Sequence, residues 1–362
     1  MPNVSSPRLT HTIGSLALAR GGLLKGVEVA YEQYGMLSPA GDNAILICHA
    51  LTGNAQAAGE DGWWDPLIGP GAAFDTSRYA VICANILGSC YGTTGPASAN
   101  PATGKPYGGT FPLITVGDMV AVQERLLDDL GVRSLVTVAG GSLGGLQVLE
   151  WMARRPHFLQ SAVIVAANLA HEPWTIAFNE CARDAIRNDP HWHGGDYALK
   201  GEAPEQGLAL ARMVAMISYR SAQSFNARFG RRVSGIQAGG QPQFEVESYL
   251  RYQGQKLVDR FDANAYVRIT EAMDAFDVGE NRGGANAALQ RFRGPALVMG
   301  IDSDILYPTW QQREIVDVLA ANGNRAEYGE IATPHGHDAF LIEWDQMDRH
   351  IRGFLAKLPG QP

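Results

Sequence analysis

The segment Gly140-Gly141-Ser142-Leu143-Gly144 places a serine at the centre of a G-x-S-x-G pattern. Glycines at that spacing let a chain turn sharply from a strand into a helix and leave the serine hydroxyl exposed at the corner. A serine hydroxyl is a weak nucleophile until a base takes its proton, and an imidazole base needs a carboxylate to hold its tautomer. Two downstream segments offer these partners. Asp302-Ser303-Asp304 follows an apolar run ending in Gly300-Ile301, and Pro334-His335-Gly336-His337-Asp338 follows a later short one. The chain order Ser, Asp, His is one that such sites use. Local spacing does not choose between Asp302 and Asp304, or between His335 and His337.

These groups need a scaffold, and the hydropathy pattern predicts one. Residues 134–138 read as a buried strand entering the serine turn, and Leu146, Leu149, Trp151 and Met152 continue it at helical intervals. That setting favours a nucleophile over an ordinary glycine-rich connection. Apolar runs at 44–48, 79–86, 161–167 and 294–301 read as strands of a buried sheet, and 326–331 as a further strand. Residues 26–35 alternate in polarity and read as a half-buried strand at a sheet edge. The first of the buried runs ends in His49-Ala50-Leu51-Thr52-Gly53, where a hydrolase-type sheet draws an oxyanion donor. Residues 115–130 read as a helix capped by Thr115 with Asp118 in its first turn, 310–321 as another, and 338–357 as a final amphipathic one. The stretch from 87 to 112 is a long Gly/Pro-rich loop. Alternating strands and helices predict an α/β protein with a mostly parallel sheet covered on both faces. Residues 168–293, where helical signals dominate, read as an α-helical insertion over the ligand-binding edge of that sheet. The expected organisation is a core domain of residues 1–167 and 294–362 carrying a lid of residues 168–293.

Composition narrows the partners. The chain has 362 residues, 46% hydrophobic and 18% charged, with a net charge of −8. Such a balance is globular and disfavours nucleic acid. Met1 to Arg20 lacks the layout of a secretory signal and no run of about eighteen apolar residues occurs, so a cytoplasmic location without membrane attachment is expected. The four cysteines lack C-x-x-C spacing and read as free thiols, Cys90 included. Neither a metal cluster nor a dinucleotide or phosphate-loop motif is present, so no metal or bound cofactor is expected.

Five motifs, taken together, resemble the homoserine O-acetyltransferase family: His49 to Gly53, Asn85 to Pro96, Gly140 to Gln147 with Glu150-Trp151, Ser303-Asp304, and Gly336 to Leu341. The resemblance runs from about residue 12 to residue 356. It implies an α/β-hydrolase fold with a helical lid and a ping-pong transfer of acetyl from acetyl-CoA, through an acyl-Ser142 intermediate, to the hydroxyl of L-homoserine in methionine biosynthesis. It makes Ser142 the nucleophile, Asp304 the acid and His337 the base, with backbone N–H groups of Leu51 and Leu143 as the oxyanion hole. Leu143 departs from the methionine commoner in the family, at a position that acts through its backbone. A homodimer is also implied. Succinyl-CoA as donor, serine as acceptor, and simple esterase or thioesterase activity are the alternatives.

Residues 207–220 are apolar nearly all round and predict a buried helix. Arg212 in its middle would be a desolvated charge in need of a partner, with Tyr219 on the same face. A lid carboxylate could satisfy it structurally. The family resemblance implies instead that Arg212 grips the substrate carboxylate, assisted by Tyr219, while Asp338 receives the substrate ammonium. Arg220 is assigned to lid structure.

Overall fold

The computed structural model describes residues 8–358; the first seven residues of the N-terminal segment read above, and the last four of the chain, lie outside the described residues. Eight strands form the central sheet: β1 (Leu9–Ala17), β2 (Leu23–Tyr34), β3 (Ala44–Cys48), β4 (Ala80–Ala84), β5 (Leu135–Gly141), β6 (Ala162–Val165), β7 (Ala296–Ile301) and β8 (Ala326–Ile331). Their spatial order is β1-β2-β4-β3-β5-β6-β7-β8. The two β1–β2 and β2–β4 pairings are antiparallel and the rest parallel. Strand β2 therefore lies inside the sheet, against expectation. The edge belongs to β1, whose mostly exposed residues and bulge around Gly14 gave the sequence no clear alternation.

Side chains of β3 alternate between two cores, Leu46 and Cys48 on one face, Ile45 and Ile47 on the other. Helices α1 (Val116–Asp129) and α2 (Leu143–Arg154) cover the first. The entry to α1 is the predicted one: Thr115 Oγ accepts from the Asp118 N–H at 3.1 Å, and the Asp118 carboxylate accepts from the Thr115 N–H at 2.8 Å. The other face is covered by Trp64, Phe74 and the C-terminal helix.

Between β6 and β7 the chain forms α3 (Pro173–Arg187), α4 (Glu205–Tyr219), α5 (Ala222–Phe229), α6 (Glu245–Val258), α7 (Ala263–Asp274) and the short α8 (Ala285–Leu289). Backbone bonds from His171 N–H to Phe276 O and from Val278 N–H to Leu169 O, at 2.8 and 2.9 Å, draw the two ends of this excursion together. Helix α4 is not buried all round: Leu210 and Ile217 are 48% and 50% exposed. They lie seven residues apart on one face, and among the described residues nothing covers that face fully.

After β7 come α9 (Thr309–Ala321) and β8. The final helix is shorter than predicted. Residues Gly336–Leu341 form a 3₁₀ turn, the backbone breaks at Ile342, and α10 spans Trp344–Leu355. Tertiary bonds override the amphipathic pattern here: Trp64 Nε1 donates to Phe340 O at 2.9 Å, holding the turn down on the sheet.

Candidate active site

Parallel register brings Cys48 at the end of β3 beside Gly140 in β5, so the loop after β3 and the serine turn meet at the same sheet edge. Ser142 is the residue between β5 and α2, with φ 57° and ψ −126°. A non-glycine residue there carries backbone strain of about 1–3 kcal/mol, held by the surroundings. The glycines explain how it is held. A Cβ at Gly144 would stand 2.1 Å from Cys48 O, so only glycine lets α2 start this close to β3.

His337 Nε2 lies 2.8 Å from Ser142 Oγ, and His337 Nδ1 lies 2.7 Å from Asp304 Oδ2. With Nδ1–H donating to the carboxylate, Nε2 presents a lone pair to the serine hydroxyl. Asp304 Oδ1 accepts from the N–H groups of Leu306 and Tyr307 at 2.8 and 2.9 Å, which pins the carboxylate. Both open choices close on geometry. Asp302 turns away to accept from the Thr333 N–H, and His335 points toward Glu343 at 3.9 Å. The Tyr307 ring stacks on His337 at 5.1 Å, and the Tyr219 and Phe340 rings lie within 6 Å of it.

Leu143 is the first residue of α2, so its N–H stands outside the helix ladder. Leu51 lines an enclosed cavity with Ser142, Tyr219, Tyr307, His171 and Asn179. Sequence reasoning missed what fixes the Leu51 loop. Gln147 Nε2 on α2 donates to His49 O at 3.1 Å and to Leu143 O at 3.2 Å; Gln123 Nε2 donates to Gln147 Oε1, and Trp151 Nε1 to Gln123 Oε1. Two glutamines on otherwise apolar helix faces were the available signal. On the lid side, Arg260 donates to Thr52 O at 2.8 Å, and His171 Nε2 lies 3.1 Å from the Tyr307 hydroxyl.

His49 is wholly buried, and burial pushes its pKa down to about 4. The geometry agrees: Nδ1–H donates to Ala50 O at 2.8 Å, and Nε2 accepts from the Ile86 N–H at 3.0 Å, which requires a neutral ring. Because the unfolded chain binds this proton below about pH 6.5 and the folded chain resists it to about pH 4, stability should fall as pH drops across that window. The contribution at stake is about 3 kcal/mol. Urea midpoints measured from pH 7.5 to 4 should show the loss, and His49→Gln should flatten the profile. A profile equally steep in the variant would assign the acid sensitivity to other groups.

No carboxylate lies within ion-pair distance of Arg212 among the described residues, so the structural lid pair does not form. Its guanidinium instead sits 5.5 Å from the Tyr219 ring centroid and acts on Asp338 by its charge. Asp338 is paired with Arg220 at 3.3 Å, which gives Arg220 a place at the site beyond lid structure. Burial raises the Asp338 pKa, with Arg220, Arg212 and His337 working against it. Burial pushes the Cys90 thiol up to about 11, away from the thiolate form that a cysteine nucleophile uses. Among the described residues no group of three His, Cys, Asp or Glu could hold a metal ion, and no helix is long and apolar enough to cross a membrane.

Sheet order, the helices inserted between β6 and β7, and the Ser-His-Asp geometry define an α/β-hydrolase-fold enzyme. The alpha/beta hydrolase fold family model matches residues 43–343. A homoserine O-acetyltransferase of Moorella thermoacetica is 52% identical over 354 residues, covering 95% of this chain and 94% of that protein. The crystal structure of homoserine O-acetyltransferase from Bacillus anthracis superposes with a TM-score of 0.92 at 28% identity, covering 98% and 99% of the two chains. Esterase E22 superposes with a TM-score of 0.90 at 28% identity, covering 97% of this chain and 100% of that one. The chain belongs to the homoserine O-acetyltransferase family.

Proposed function

We propose that this protein transfers acetyl from acetyl-CoA to the hydroxyl of L-homoserine, a step of methionine biosynthesis. His337 Nε2 takes the Ser142 proton as Oγ attacks the thioester carbonyl, and the Leu51 and Leu143 N–H groups receive the developing oxyanion. Collapse of that intermediate breaks the C–S bond, and His337 returns the proton to the departing thiolate. The homoserine hydroxyl then gives its proton to His337 and attacks acetyl-Ser142, releasing O-acetylhomoserine and restoring the serine. Arg212 binds the acceptor carboxylate and Asp338 its ammonium, with Tyr219 shaping the wall between them.

The observation that carries this reading is the guanidinium of Arg212, which among the described residues has no carboxylate at ion-pair distance and lies against Tyr219 beside the Ser142–His337–Asp304 array. Residues 168–293 act as the lid, restricting water so that the acyl-enzyme meets an oriented amino acid. We further propose a cytoplasmic homodimer joined through the exposed Leu210 and Ile217 face of α4.

A hydrolase reading is favoured by the likeness to esterase E22. Incubating the protein with acetyl-CoA or succinyl-CoA against homoserine, serine or no acceptor, and weighing the products, separates the readings. O-acetylhomoserine is the expected product. Free acetate formed at the full rate without acceptor would overturn transfer, and a succinylated product or acylated serine would move the substrate assignment.

A further inference from the structure

The proposed reaction uses the cavity over Ser142 and leaves a second one unexplained. This second cavity, about 290 Å³, is lined by Arg220, Phe225, Arg228, Phe229, Tyr249 and His335 among others. It lies across a thin wall from the first. Tyr219 lines the cavity over the serine and the next residue, Arg220, lines the second; on the facing segment, His335 lines the second while His337 holds Ser142. Gly336 makes the wall thin, since a Cβ there would come within 2.9 Å of the backbone of Tyr219 and Ser221.

The lining has a definite chemistry. The Phe229 and Tyr249 ring centroids are 5.0 Å apart, and those of Phe225 and Phe229 are 5.7 Å apart. The Arg228 guanidinium rests on this platform, 4.5 Å from the Tyr249 centroid and 5.1 Å from that of Phe229. It has no carboxylate at ion-pair distance among the described residues, because Glu245 is taken by Arg232 and Asp338 by Arg220. Arg231 likewise lies over a ring, that of Phe244, at 5.3 Å. Glu343, beside His335, is the acid nearest that end, and it also accepts from Thr333. In a chain of net charge −8, a ring-walled recess whose Arg228 guanidinium has no carboxylate at ion-pair distance among the described residues is a local exception. Aromatic faces hold a planar base by stacking, and a guanidinium fits phosphate oxygens through its fork of donors.

We propose that this cavity takes the phosphorylated nucleotide end of the acyl-CoA donor. Arg228 contacts phosphate and the base packs against the Phe225, Phe229 and Tyr249 ring cluster, while the flexible pantetheine arm passes around the close contact of Gly336 with Tyr219–Ser221 to bring the thioester to Ser142. The inference rests on the acyl-CoA reading above.

The test is the KM for acetyl-CoA in Arg228→Glu and Arg228→Ala, measured beside S-acetyl-N-acetylcysteamine, a thioester with no nucleotide. Charge reversal should raise the acetyl-CoA KM by about tenfold or more with kcat retained, and alanine should raise it less. Transfer from the truncated thioester should keep its wild-type constants, since that donor does not reach the cavity. The salt dependence of the acetyl-CoA KM should also weaken in both variants. An unchanged acetyl-CoA KM, or an equal loss with both donors, overturns the assignment. So does a shift in oligomeric state on size exclusion, which would make this cavity a contact between copies. Failure of the wild type to transfer acetyl from either thioester would overturn the acyltransfer reading itself and the inference with it.

Discussion

Ser142→Ala should lower acetyl transfer by about 10⁴-fold or more and abolish the acetylated form of the protein, because Ser142 Oγ is the hydroxyl hydrogen-bonded to His337 Nε2. Asp304→Asn should approach the same loss while leaving the fold intact. Asp304 accepts the Nδ1 proton of His337 and two backbone N–H groups. An amide can keep some of these bonds but can present its NH₂ to Nδ1, placing the imidazole proton on Nε2 where the serine needs a lone pair. Intact-protein mass after mixing with acetyl-CoA, without acceptor, reads the first half-reaction directly. Retained acetylation in Ser142→Ala would move the acyl carrier to another residue, and retained turnover without any acetylated form would remove the covalent route.

Arg212→Ala should raise the homoserine KM by about 100-fold, corresponding to roughly 2–3 kcal/mol for a charge-assisted contact in a shielded site. Acetylation of Ser142 should proceed at its wild-type rate, since the guanidinium lies against Tyr219 and not on the triad. The split follows from where the charges sit. Asp338 already has Arg220 at 3.3 Å, whereas Arg212 has no carboxylate at ion-pair distance among the described residues and is the cation proposed for the acceptor carboxylate. Rapid-mixing measurement of CoA release before and after adding homoserine separates the two half-reactions. An unchanged acceptor KM would transfer the carboxylate contact to another cation, with Arg220 the first to test.

Much of the site was legible because its parts are local. The G-x-S-x-G turn declares itself through contacts within a few residues and one neighbouring strand: Gly144 packs against Cys48 O, and β5 leads directly into α2. The apolar strand runs and the capping box of α1 are equally local, as one residue's chemistry answers another three positions away. The terminal helix failed for the opposite reason. Its amphipathic pattern continues through residues 338–357, but Trp64, far off in the chain, pins Phe340 and the helix starts only at Trp344. The edge strand β1 failed because its pattern is weak and its register is set by β2.

By itself, then, the sequence determined a buried parallel sheet, a serine turn between strand and helix with aspartates and histidines following in chain order, and a helical stretch between two parallel strands, all features written in short-range periodicity and spacing. Only the tertiary structure decided which aspartate and which histidine line up with Ser142, that His49, Gln147 and Gln123 fix the Leu51 loop, that Arg220 pairs with Asp338, and that Arg212 has no carboxylate at ion-pair distance among the described residues. Those outcomes depend on distances between segments up to 195 positions apart. No local pattern records such distances, because they arise when the strands are laid side by side and the lid is folded over their ends.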